Sequence, residues 1–65
     1  MVRYDNQLEV EINDLRQKIN KITCFLESDK LESVDKVQIQ LMQYQKFYMN
    51  LLLEILIERH ELLVK

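Results

Sequence analysis

The 65-residue chain contains no glycine, no proline and no tryptophan, and only one cysteine and one histidine. Without glycine no residue enters positive φ at low cost, so sites built on a glycine-lined phosphate cradle are excluded. P-loop and Rossmann-type nucleotide sites fall with them. Without proline, nothing in the chain forces a helix to stop. Cys24 alone cannot form an intrachain disulfide, and His60 in Glu58-Arg59-His60-Glu61 lacks a second ligand at helical spacing, so no metal site is expected. A chain this short buries only about 60% of the surface its unfolded form exposes. With both usual staples missing, a partner chain is the remaining source of stability.

Nine Lys and Arg stand against eleven Asp and Glu, a net charge of -2. That balance creates no long-range pull toward a phosphate backbone, and duplex nucleic acid is not an expected partner. Met1 to Asp5 leads into charged sequence rather than an apolar run, so no secretory leader is expected. The most apolar stretch, Phe47 to Ile57, is interrupted only by Asn50 and Glu54. It would span about 16 Å, roughly half of what a membrane helix must cross. A membrane is therefore not an expected partner, and the unpaired thiol fits a reducing cytoplasm.

What is present is helical periodicity. Leu8, Ile12, Leu15, Ile19, Ile22 and Leu26 are spaced 4, 3, 4, 3 and 4, the seam of a helix packed lengthwise on another. A stretch from Glu27 to Ser33, polar but for Leu31, interrupts the pattern. Asp35 with Gln38 reads as a capping box, and Val34 with Ile39 as a hydrophobic staple. These signals predict one domain over residues 1–65: a first helix over about 5–27, a turn at 28–35 and a second helix over about 36–64. A short turn between two long helices makes them antiparallel neighbours. The expected fold is all-α, an antiparallel two-helix hairpin assembling into a homo-oligomeric helical bundle.

The oligomer follows from the second helix, which is apolar on more sides than one neighbour can cover. Leu41, Tyr48, Ile55 and Leu62 repeat at seven, as do Met42, Met49, Leu56 and Leu63, and the two rows together form one wide stripe. Further apolar residues lie outside that stripe, and each large side chain buried contributes about 1.5 to 3 kcal/mol. The expected subunit interface comprises Phe47, Leu51 to Leu53 and Ile55 to Ile57, in a dimer or higher homo-oligomer. Self-association removes the patch without requiring any second protein.

No catalytic constellation is present. Ser28 and Ser33 have no base within reach in sequence, and the carboxylates read as a solvated face. Neither enzymatic activity nor a cofactor is expected. The candidate ligand residues are Tyr44, Gln45 and Tyr48, which share a face of the second helix, together with Arg16 and Arg59. In a structural reading Gln45 and Arg59 fix register and the tyrosines are interface residues. In a binding reading, aromatics repeated by symmetry stack a base while an arginine meets its phosphate.

Three stretches carry a resemblance to known proteins. They are Leu15-x-x-Lys18-Ile19-x-Lys21-Ile22-x-x-Phe25-Leu26-Glu27-Ser28, Val34-Asp35-x-x-Gln38-x-x-Leu41-Met42-x-x-Gln45, and Met49 with Leu56-x-x-Arg59. With these the chain resembles a family of small helical-hairpin proteins of tailed bacteriophages, described as crAss-like-phage-related. Val34-Asp35 replaces that family's usual Leu-Ser, one N-cap for another. The resemblance implies a phage protein in the host cytoplasm that acts by stoichiometric binding. By analogy with other small oligomeric phage proteins, it implies sequestration of a cyclic nucleotide or ADP-ribose-type immune messenger between subunits. A module that masks a host or phage protein is the alternative.

Overall fold

The computed structural model describes the backbone over residues 2–63 and the side chains from Asn6 to Leu63. Two α-helices, α1 (Val2–Leu26) and α2 (Lys36–Leu63), run antiparallel along a rod of 47 × 14 × 13 Å. The first helix begins earlier than its apolar seam does, and the two are nearly equal at 25 and 28 residues. The expected end of the second helix at Val64 lies outside the described residues.

The reversal is made without any residue at positive φ among those described. Ser28 carries most of it. Its N–H and its Oγ–H both donate to Phe25 O, at 3.1 and 2.8 Å, which satisfies a carbonyl left open at the end of α1. The same Oγ accepts from Lys30 N–H at 3.3 Å and caps a short 3₁₀ helix, Asp29–Ser33. Ser33 Oγ–H closes that helix by donating to Lys30 O at 2.9 Å, and Val34 then turns extended. Asp35 caps α2: its Oδ1 accepts from Val37 N–H at 3.2 Å, and its carbonyl accepts from Ile39 N–H at 3.0 Å.

The core is narrow. Leu8, Ile12 and Leu15 of α1 and Leu56 of α2 are buried, with Ile19, Met49, Leu53 and Ile57 packed against them. The 4-3 seam of α1 thus faces α2, while Ile22 and Leu26 nearer the turn are half-buried.

On α2 the structure divides the wide apolar stripe. The rows of Met49 and Leu56 and of Tyr48 and Ile55 are adjacent, but a single neighbouring helix reaches only the first. Leu53 and Ile57, which the heptad rows leave out, join the packing on α1 instead. A second row remains uncovered: Val37, Leu41, Tyr44, Tyr48, Leu51 and Ile55 are each between 42% and 64% exposed. Their spacing is 4, 3, 4, 3 and 4, the same as the buried seam of α1. Among the described residues, no helix is long and apolar enough to cross a membrane.

Candidate functional site

At 100° per residue, α2 presents an inner face to α1, an outer face about 150° away and two flanks between them. The outer face carries Tyr44 and Tyr48. Tyr44 Oη accepts a hydrogen bond from Gln40 Nε2 at 3.0 Å, one helical turn back. Tyr48 stands edge-on to Phe47, with ring centroids 5.5 Å apart and an interplanar angle of 74°, a geometry favoured by the ring quadrupoles.

Gln45 falls on a flank, at the rim of a groove between the helices. The groove encloses about 320 Å³ and is lined by Lys18, Lys21, Ile22, Met42, Gln45 and Met49. Its floor is apolar and soft, since the two methionines adapt to the shape of whatever lies on them. Its rim is polar and doubly cationic. Lys18 also borders the next groove along the same flank, about 240 Å³, which runs past Leu52 and Leu56 and carries the carboxylates of Glu11 and Asp14. Arg59 follows Gln45 by fourteen residues, which returns it to within about 40° of the same flank, and it is exposed.

Arg16 lies on the other side of the hairpin. It borders a groove of about 300 Å³ with Glu9, Asn13, Ile57 and His60. Across that groove His60 Nε2 approaches Glu9 Oε1 at 3.3 Å, so the half-buried histidine of α2 meets a carboxylate near the start of α1. A surface histidine is thus engaged between the helices.

Within one chain the five candidate ligand residues therefore stand in three places: the tyrosines on the outer face, Gln45 and Arg59 on one flank, Arg16 on the other. The expected interface residues also divide. Phe47, Leu51, Leu52 and Ile55 are exposed, whereas Leu56 is buried inside the hairpin with Leu53 and Ile57 packed on that core. The covered three serve the intrachain seam because they sit where α1 passes.

Lys18 and Lys21 are the residues that reasoning from sequence passed over. They sit among polar residues on α1, where a charged face reads as solvated. The signal was their i, i+3 spacing beside the seam residue Ile22, which puts both ammonium groups on the same edge of the helix pair. An apolar floor beneath two cations suits a flat, anionic small molecule, with rings on the methionines and a phosphate or carboxylate at the lysines. Among the described residues, no three His, Cys, Asp or Glu side chains gather into a metal site.

Searches of curated proteins and of solved structures return no match. A family model described as Sequestin matches residues 3–62, a span that takes in all but the outermost residue of each helix, the turn and every groove described above. The chain belongs to the Sequestin family.

Proposed function

We propose that this chain is a small phage-type homo-oligomeric binding protein that counters bacterial immunity by stoichiometric sequestration of a nucleotide second messenger at subunit interfaces. The family name points to sequestration, a binding role. The single observation that carries the nucleotide reading is the groove of Lys18, Lys21 and Gln45 over Ile22, Met42 and Met49. Its two cations answer the phosphates of a cyclic or ADP-ribose-type messenger, and its methionine floor accepts a base. The groove is open, so one chain alone encloses little of such a ligand. Subunit assembly over the outer face of α2 adds the missing walls.

The exposed row from Val37 to Ile55 favours a second reading, a module that masks a host or phage protein without any small-molecule ligand. One experiment separates the two. Purified protein is incubated with cyclic dinucleotides and ADP-ribose-type messengers, washed, and heated to release what it holds. Sequestration predicts an intact messenger in the released fraction at a fixed ratio to the chain. Release of nothing leaves the protein-masking reading, and release of a chemically altered nucleotide points to an enzyme.

A further inference from the structure

We propose that the outer face of α2 is a homodimer seam, on which a second copy of this chain packs with its own α2 parallel and in register. The proposal rests on the oligomeric binding reading above and fixes what that reading leaves open: the face, the direction, and what the second copy adds to each groove.

The spacing supports a helix as the occupant. Val37, Leu41, Tyr44, Tyr48, Leu51 and Ile55 keep an unbroken 4-3 repeat over 19 residues, and a repeat of that kind is covered by another helix running alongside. All six are exposed in the single chain. Because α1 lies about 150° around α2 from this row, two hairpins meet along it without their first helices colliding.

The flanking residues favour a copy of the same chain and set its direction. Gln38, Gln45, Leu52 and Arg59 border the row on one side; Gln40, Phe47, Glu54 and Glu61 border it on the other. In a parallel pair, a residue on the second side meets the residue five positions further on in the other chain. Gln40 then meets the partner's Gln45, Phe47 meets the partner's Leu52, and Glu54 meets the partner's Arg59. Amide faces amide, apolar faces apolar, and acid faces base. An antiparallel pair that covers the same row sets Val37 against the partner's Ile55 and each side against itself: Phe47 and Gln45 then meet their own copies, but Gln38 meets the partner's Leu52 and Glu54 meets the partner's Gln40 in place of a cation. The first of these buries a polar group against an apolar one, which is unfavourable without a compensating hydrogen bond, and the second loses the acid–base contact. Glu58, the next position of the repeat, faces its own copy in the parallel pair, and mutual repulsion closes the seam at Ile55.

The parallel pair also completes the basic groove. Gln45 and Leu52 form the outer rims of the two grooves that share Lys18. The partner's Gln40 and the partner's Phe47 arrive at those rims, and the two-fold axis builds two such sites. A second amide thereby joins the groove of the two lysines and two methionines, and an aromatic ring joins Lys18 in the neighbouring groove at Leu52, which no single chain provides at those places.

Position 37 reports the direction. In the parallel pair the two Val37 side chains lie side by side, whereas in the antiparallel pair that covers the same row they are separated by about 27 Å. The variant Cys24→Ser/Val37→Cys, checked for helicity by circular dichroism, is oxidised with diamide and compared with Cys24→Ser/Gln43→Cys, whose thiol lies on a flank away from the row. The expected result is near-complete disulfide dimer for the first and at least tenfold less for the second. If light scattering gives an oligomer but Val37→Cys stays unlinked, or both variants link equally, the parallel seam is overturned and the oligomeric reading stands. A solution mass of one chain overturns both.

Discussion

Ile55 and Leu56 are neighbours in sequence with opposite surroundings: Leu56 is 5% exposed in the seam with α1, and Ile55 is 54% exposed on the far side of the same helix. One peptide step rotates the side chain by 100°, out of the reach of α1. The pair condenses the logic of α2, which carries one apolar row packed within its own hairpin and a second that the hairpin leaves exposed.

Truncation separates the two rows. Leu56→Ala leaves a cavity in a core of four buried residues and should cost about 3 kcal/mol, a large share of what so small a domain possesses. Ile55→Glu should leave the helical circular dichroism signal intact and lower the solution mass. Denaturation followed by circular dichroism, run beside light scattering, checks both. A loss of helix in Ile55→Glu comparable to that in Leu56→Ala would mean that the second row holds the hairpin itself.

Charge reversal at the groove tests ligand capture. In Lys18→Glu/Lys21→Glu the anionic ligand loses two charge-assisted contacts, each of which contributes about 1.5 to 3 kcal/mol in a typical site. Retention of a messenger should fall by at least tenfold while helicity and solution mass stay unchanged, and capture by the parent protein should weaken as salt is raised. Equal retention by parent and variant would place the ligand elsewhere.

The glycine-free turn is open to a smaller test. Ser28→Ala removes the hydroxyl bond to Phe25 O and the cap on Lys30 N–H, leaving the backbone bond from Ser28 N–H in place, and Asp35→Ala removes the cap on Val37 N–H. Each loss should cost about 1 kcal/mol and lower the midpoint of thermal unfolding by several degrees. Asp35→Ser, which keeps an N-capping oxygen, should recover most of the loss.

The flank pairing gives a fourth expectation. Phe47→Ala should weaken ligand retention several-fold while leaving the hairpin folded, because the ring is exposed in the single chain and, in the proposed parallel pair, would reach the partner's groove rim at Leu52. The readout is messenger bound per chain at concentrations where both proteins show the same mass. Unchanged retention would remove Phe47 from the site.

Much of this architecture is legible from residue spacing. The seam from Leu8 to Leu26 identifies the buried face of α1 because a 3.6-residue helix returns those positions to one line. Asp35 is readable as the cap of α2 because its carboxylate is short enough to reach the backbone just ahead of it. The division of α2 was harder to read. Rows such as Leu41-Tyr48-Ile55 and Met42-Met49-Leu56 are alike in hydropathy, and only the position of α1 decides which one is covered. Lys18 and Lys21 were hidden for a related reason: a lysine at the edge of a helix pair and one in open solvent have the same sequence neighbours, and the difference is a groove formed by residues more than twenty positions away. Arg16 and Gln45 could not be assigned to opposite flanks of the hairpin until the rotation of α1 against α2 was fixed.

The most direct measurement for the account as a whole is the solution mass of the unmodified protein by light scattering at micromolar concentration. A uniform species at twice the 8.0 kDa chain mass, or a higher even multiple, is the predicted result. A stable, monodisperse 8.0 kDa particle would contradict it, because Tyr48, Ile55 and their neighbours would then remain in water with no second copy to cover them.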